Sequence, residues 1–415
     1  MDIAGLYGKL AASDAGARAA AEIRLTELAV RHKEMFGTAA QAVFSTSGRT
    51  ELGGNHTDHN LGKVLAGSIN LDIIAAVHTV PGSTVSFASE GYPAISVDIS
   101  DLEAHEHLFG TTEALIRGVA AAMAKRGGKT GGFCANVSSS VFKGSGLSSS
   151  AAIEVLVGTI FNSLFNDDRF STTELAIMGQ EAENIHFGKP SGLMDQVACA
   201  NGGIVGIDFR DPSKPEITPI EIDFADFGYN LVITTTGGNH ADLTADYASI
   251  PSEMRSVARF FGKKTLRDVD PQLFLSRIGD LRRAVGNDRA ILRASHYFQE
   301  NYRVDCMISA LRDRDFGRYL SLVRSSGDSS FRYLQNIYSP KASGEQGISL
   351  ALAMTEMFLR NEGAFRVQGG GFAGTIEAYI PLEKTRAYFS HMESLFGEGC
   401  CTILAIRNLP TARVM

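Results

Sequence analysis

The chain has 415 residues, 44% of them apolar and 20% charged, enough for the buried core of two or three domains of ordinary size. A net charge of −7 argues against a nucleic-acid or anionic-membrane partner held through a basic face. The five cysteines (Cys134, Cys199, Cys306, Cys400, Cys401) show no CxxC or Cys/His metal spacing, the start MDIAGLYGKLAASD lacks the apolar core of a signal peptide, and no apolar run reaches membrane-span length; together these predict a cytoplasmic protein with reduced thiols.

In chain order, Ala17 to Phe36 predicts an amphipathic helix with Ala21, Ile23, Leu25, Leu28, Val30 and Met35 as its apolar positions and Gly37 as its stop. Val43–Phe44 and Val64–Val77 predict buried extended segments, and Val85–Ile99 a strand pair around Gly91-Tyr92-Pro93. Thr112–Lys125 reads as a helix closed by Gly127-Gly128, Phe133–Val141 as a strand, and Ser149–Phe165 and Thr173–Asn184 as helices. Ile204–Phe209 is a predicted strand. The three prolines of Asp211–Pro219 mark the junction between two halves, residues 1–210 and 220–415. The second half reads as a strand at Tyr229–Thr235, helices from Tyr247 to about Asn361, and strands at Gly374–Ile380 and Cys401–Ile406. Strands and helices mix without a βαβ repeat, which predicts an α+β fold.

Lys143-Gly144-Ser145-Gly146-Leu147-Ser148-Ser149-Ser150-Ala151 follows a strand and opens a helix. Its glycines let backbone approach an anion, the free N–H groups and dipole of the helix start favour phosphate, and the serines add hydroxyl donors and a magnesium ligand. A serine cap alone would explain one or two of these serines, not the whole run. Two other stretches fail as nucleotide motifs. Gly128-Lys129-Thr130 has Met123 where a P-loop needs glycine, and Gly369-Gly370-Gly371-Phe372-Ala373-Gly374 precedes a strand pattern rather than the helix of a dinucleotide site.

Gly48-Arg49 and Gly53-Gly54-Asn55-His56-Thr57-Asp58-His59-Asn60 form a polar, glycine-rich stretch with the donors and acceptors that hold vicinal sugar hydroxyls; an Asx-rich turn fits the same residues equally well. Glu181-Ala182-Glu183-Asn184-Ile185-His186 and Gly188-Lys189-Pro190-Ser191-Gly192-Leu193-Met194-Asp195-Gln196 place acids on both sides of a Gly/Pro turn. Phosphoryl transfer uses one acid near magnesium and another near the acceptor hydroxyl. Taken singly, Asp195 also suits a helix N-cap and Glu183 a solvated helix face.

In order and spacing, these stretches together with Gly369–Gly374 resemble the galactokinase branch of the GHMP kinase family, from about Ser47 to Ile406. The resemblance implies a two-domain fold, the first resembling the ribosomal protein S5 domain 2 type and the second ferredoxin-like, with the site in the cleft between them. It implies an ATP- and Mg2+-dependent sugar 1-kinase. Gly144, Ser145, Gly146, Leu147, Ser148, Ser149, Ser150 and Ala151 would wrap the ATP phosphates, and Ser150 and Glu183 would hold magnesium. Asp195 would face the anomeric hydroxyl with Arg49 beside it, and Asn55, His56, Asp58 and Tyr247 would contact the sugar. Gly369–Gly374 would support the loop. The family motif Gly-Glu-His-Thr-Asp-Tyr reads Gly54-Asn55-His56-Thr57-Asp58-His59 here. Lys63 stands where an apolar or aromatic residue is frequent, and Gln368 and Ala373 where Thr and Gly are common. Losing the glutamate and gaining Lys63 keeps a galacturonate kinase as an alternative to galactose; a catalytically silent sugar sensor is the alternative of another class. The expected partners are ATP and a small sugar, with no nucleic acid and no membrane, and the chain is a monomer or a dimer.

Overall fold

The computed structural model describes residues 15–141, 146–237 and 243–415. The first sheet is built from β1 (Ala42–Gly53), β2 (Lys63–Thr79), β3 (Thr84–Ser89), β4 (Ile95–Asp98), β5 (Phe133–Ser139), β6 (Ile204–Asp208) and β7 (Glu216–Ile220). The second holds β8 (Tyr229–Thr235), β9 (Ala364–Val367), β10 (Thr375–Pro381) and β11 (Cys401–Leu404); β12 (Ala412–Arg413) then returns to the first sheet beside β1. The first sheet runs β12-β1-β2-β5-β3-β4, with β6 on the far end of β2 and β7 outside it. Among the described residues only β3 and β5 pair parallel in it, and the second sheet, β11-β8-β10-β9, is antiparallel. The chain is thus α+β, as the absence of a βαβ repeat predicts. The proline-bearing stretch 211–219 forms the turn and second strand of the β6–β7 hairpin, just ahead of the second sheet.

β2 reads as a nearly continuous apolar run because it pairs with β1, β5 and β6 and is covered on both faces. Helix Ser149–Phe165 buries Val155, Leu156, Val157, Ile160 and Phe161 in the main core, which continues through Leu231, Ile233, Val304, Met307 and Tyr379 into the second half. Burying five such side chains supplies roughly 1.5–3 kcal/mol each, before the entropy of ordering them. The first described helix, Ala15–Phe36, is less apolar in its seating than its sequence implies. Leu25 and Leu28 are buried against Val43, Ile74 and Ala76, whereas Ile23, Val30 and Met35 are more than half exposed. Polar anchors take up the difference: Arg24 pairs with Asp72, and the rings of His32 and His78 meet at 2.7 Å.

Two features aim the functional side chains. The β1–β2 register slips between Ser47, opposite Asp72, and Arg49, opposite Ser68, so that Arg49 is redirected as at a β-bulge. At the slip, a Cβ on Gly48 would sit 2.9 Å from the Leu147 carbonyl oxygen, and the Arg49 N–H donates to that same oxygen at 3.1 Å. Backbone of β1 and of the loop before helix Ser149–Phe165 therefore touch. Thr172–Glu181 ends in a π-helical turn, Ala182–His186, rather than running as one helix to Asn184; the wider turn carries Glu183 inward to full burial. Among the described residues no helix is long and apolar enough to cross a membrane.

Candidate active site

Asp195 lies in the first turn of helix Met194–Asn201 and meets β1 and the serine run. Arg49 Nε donates to Asp195 Oδ1 at 2.8 Å, and Ser148 Oγ donates to Asp195 Oδ2 at 2.5 Å. Arg49 Nη1 donates to the Gly146 carbonyl. Burial alone would push the Asp195 carboxyl up. The Arg49 guanidinium and its hydrogen bond, with help from Lys189, instead hold it below the usual aspartate range. It is an ionised carboxylate, still 21% exposed, fixed at the start of helix Ser149–Phe165.

A second acid stands beside it. Ser150 Oγ donates to Glu183 Oε1 at 2.9 Å, Lys189 Nζ to the same oxygen at 2.7 Å, and Gln196 Nε2 to Glu183 Oε2 at 2.9 Å. Gln196 Nε2 also reaches Glu154 Oε2 at 2.9 Å, one turn beyond Ser150. Burial first, and then the charge of Glu183, push the Glu154 carboxyl well above the carboxylate range, and its Oε1 has no partner among the described residues. Lys189 and Glu154 belong to this cluster although the sequence reading gave them no role. Glu154 was detectable as the i+4 neighbour of Ser150 on one helix face; for Lys189 there was no signal beyond its place in the turn.

The loop after β1 faces the second half. Three successive carbonyls of the 369–371 turn are held by three side chains picked out in the sequence. Asn55 Nδ2 donates to Gly369 O (2.7 Å), His56 Nε2 to Gly370 O (2.9 Å) and Tyr247 Oη to Gly371 O (3.0 Å). A carbonyl only accepts, so His56 carries its proton on Nε2 and leaves Nδ1 as an acceptor. Burial, reinforced by His59, lowers the His56 pKa to about 3, which keeps the ring neutral. Asp58 Oδ1 accepts from the His59 N–H at 2.9 Å, and a Cβ on Gly192 would lie 1.7 Å from Asp58 Oδ2, which fixes this carboxylate against the turn before Asp195. The Gly370 position has no room for a Cβ, because Tyr247 would be 2.5 Å away. Gly369 in turn lies against Gly146 O, at 3.5 Å from its own built Cβ.

The structure thus gathers Arg49, Gly146, Ser148, Ser150, Glu183 and Asp195 at one helix start. Asn55, His56 and Tyr247 hold the glycine turn that abuts Gly146, and Asp58 packs on Gly192. Gly144 and Ser145 lie outside the described residues. Leu147 and Ala151 are buried, so what they offer a ligand is backbone. Ser149 is the first residue of the helix. Lys63 does not join the cluster: its ammonium pairs with Asp305 at 2.7 Å and lies 3.9 Å from Asp208.

Comparison with known proteins gives a consistent assignment. The family model for the GHMP kinases N terminal domain matches residues 114–203, and that for the galactokinase galactose-binding signature matches residues 30–79. A galactokinase of Actinobacillus pleuropneumoniae serotype 3 (strain JL03) is 33% identical over 369 residues, covering 85% of this chain and 89% of the relative. One of Glaesserella parasuis serovar 5 (strain SH0165) is 31% identical over 365 residues, covering 86% and 89%. Among solved structures, Lactococcus lactis galactokinase complexed with galactose shares the fold at a TM-score of 0.80, with 23% identity over 94% of this chain and 100% of that one. The Methanococcus jannaschii mevalonate kinase shares it at 0.60, with 14% identity over 88% and 98%.

Proposed function

This chain belongs to the galactokinase branch of the GHMP kinase family, and we propose on that footing that it transfers the γ-phosphoryl group of ATP to the anomeric hydroxyl of galactose, giving galactose 1-phosphate and ADP. The observation that carries the reading is the ionised Asp195, clamped by Arg49 and Ser148 at the start of the helix that follows the glycine–serine loop. A helix start attracts phosphate, and a fixed carboxylate beside it can accept the hydrogen bond of an acceptor alcohol. Asp195 orients the sugar hydroxyl and takes up its proton. Arg49 keeps that carboxylate ionised and faces the charge that develops on the phosphoryl oxygens. His56 Nδ1 and Asp58 supply acceptors for sugar hydroxyls, and the glycine turn closes the pocket behind them.

Magnesium fits the donors at Ser150 and Glu183. A hydroxyl and a carboxylate are hard oxygen ligands, and a magnesium ion needs only one or two such groups when phosphates complete its shell. The described residues contain no cage of three or more His, Cys, Asp or Glu that could hold a metal ion. The ion would supply charge neutralisation on the phosphates. Lys189, now on Glu183, is placed to add positive charge there. All five cysteines are unpaired, in keeping with a reducing cytoplasm.

A neutral hexose is favoured over a uronic acid because Lys63, the cation that raises the uronic-acid alternative, already pairs with Asp305, and the site cations Arg49 and Lys189 pair with Asp195 and Glu183. Sugar-dependent ADP release, measured with galactose, galacturonate, glucose and mevalonate, tests the proposal. Turnover on galactose well above the other three is expected. A preference for galacturonate or mevalonate would reassign the acceptor, and no turnover on any, with galactose still binding, would point to a sensor.

A further inference from the structure

Asn55 stands where the family motif has glutamate, and the structure gives it a full set of protein partners. Its side chain is fully buried. Nδ2 donates to Glu51 Oε1 at 2.8 Å and to Gly369 O at 2.7 Å; Oδ1 accepts from Asn336 Nδ2 at 2.8 Å and from Ser330 Oγ at 3.4 Å. An amide offers two donors and two acceptor lone pairs, and all four are in use. Nothing is left over for a sugar hydroxyl.

Glu51 is the other end of this arrangement. The same Oε1 that receives Asn55 receives Arg366 Nη2 at 2.6 Å, and both Glu51 and Arg366 are buried. Gln368, a second departure from the family pattern, also reaches Glu51. With its amide oriented to match its neighbours, it accepts from the Glu51 N–H at 3.2 Å and donates to Glu377 Oε2 at 3.1 Å. The two departures noted in sequence therefore meet at one residue, Asn55 on the Glu51 carboxylate and Gln368 on the Glu51 backbone, with the Gln368 amide reaching on to the carboxylate of Glu377.

We infer that Glu51 and Asn55 act as a linked pair of positioning residues, in which Glu51 carries the buried carboxylate and Asn55, locked to it, seats the 369–371 turn that His56 and Tyr247 also grip. This role rests on the reading of the cluster as a sugar-kinase site. A glutamate at position 55 would point acceptor oxygens at two acceptors, Glu51 Oε1 and Gly369 O. The pair thus tolerates a carboxylate at one of its positions and not at both.

The test uses the full-length chain with Asn55→Glu, Glu51→Gln, the double variant, and Asn55→Ser, read by thermal midpoint without ligands and by KM and kcat for galactose and ATP. Asn55→Glu should raise the galactose KM about tenfold or more and lower the midpoint, because an unpaired buried charge replaces a satisfied amide. In the double variant the amide introduced at position 51 can donate to the carboxylate introduced at position 55, and at least half of both losses should return. Asn55→Ser adds no charge and should fold; it should raise the galactose KM well beyond any change in the ATP KM. The inference is overturned if Asn55→Glu matches the natural chain, if the double variant's losses merely add, or if Asn55→Ser leaves the galactose KM unchanged. The thermal cycle needs no substrate. Coupling there, with no galactose turnover by the natural chain, would remove the galactose assignment and keep the pair.

Discussion

At the residue scale the proposed chemistry depends on one carboxylate, Asp195, kept charged in a partly closed site. Burial raises the Asp195 pKa and Arg49, 146 positions away in sequence, more than reverses this. Because the folded-state value is depressed, the stabilisation from this ion pair is fully present above the unfolded aspartate pKa and is lost only as pH falls through the lower folded value. Asp195→Asn keeps the shape and removes the charge and proton acceptor. Its kcat should fall by about 10³-fold or more, a loss in the range seen when a general base or an electrostatic stabiliser is removed. ATP affinity, measured by calorimetry, should stay within a small factor. Sugar-dependent turnover near the natural rate would remove Asp195 from the chemistry. The acids on both sides of the Gly/Pro turn are legible in the sequence, and the structure brings Glu183 and Asp195 to one helix start. The partner's burial and the acceptor state of His56 Nδ1 were not legible, since both depend on contacts across more than a hundred residues.

At the scale of elements, sequence periodicity located Thr112–Lys125, Ser149–Phe165 and β8 (Tyr229–Thr235) at their observed bounds, because the two helices are long periodic patterns and β8 is a compact apolar, β-branched run. It overlooked β7, β9 and β12, which have only five, four and two residues and are held by sheet partners rather than by any pattern of their own. It also read Thr173–Asn184 as one helix. The π-helical turn at Ala182–His186 comes from packing: Gly118 lets helix Thr112–Lys125 approach so closely that an added Cβ would lie 2.6 Å from Ala182 Cβ and 2.7 Å from its Cα. Gly118→Ala should therefore press on the turn that presents Glu183. Overpacking of this kind costs about 1–3 kcal/mol, which predicts a thermal midpoint lower by a few degrees. If the turn serves magnesium, the concentration of Mg2+ needed for half-maximal rate should rise as well. A midpoint and a magnesium requirement both unchanged would show that the approach of these helices is not what positions Glu183.

At the scale of the whole molecule, the sequence places an expected junction at the proline-bearing stretch, whereas the structure runs one core through residues on both sides of it, which no local pattern shows. The C-terminal β12 closes on β1, and ionisable groups lie buried where β1 faces β9 and β10. Arg366 pairs directly with Glu51, while among the described residues Glu377 Oε2 accepts from neutral partners, Thr50 Oγ1 at 3.0 Å and the Gln368 amide, and its Oε1 has no hydrogen-bond partner. Burial, opposed by Arg366, raises the Glu377 pKa to about 8 from an ordinary value of 4.5. Arg366, Glu51 and Arg49 are the charged groups it senses. Between those two values the folded chain holds a proton that the unfolded chain has released. Stability from this group is therefore full below pH 4.5 and declines as pH rises through about 8. Glu377→Gln keeps the neutral, hydrogen-bonding shape and removes the titration. Thermal midpoints measured from pH 5 to pH 9 should fall more steeply for the natural chain than for this variant, with the gap widening by several degrees toward the alkaline end. Parallel slopes would mean that Glu377 is ionised in the folded chain throughout, with Arg366 neutralising both acids. The two halves would then be joined by a charged triad rather than by one ion pair and a protonated carboxyl group.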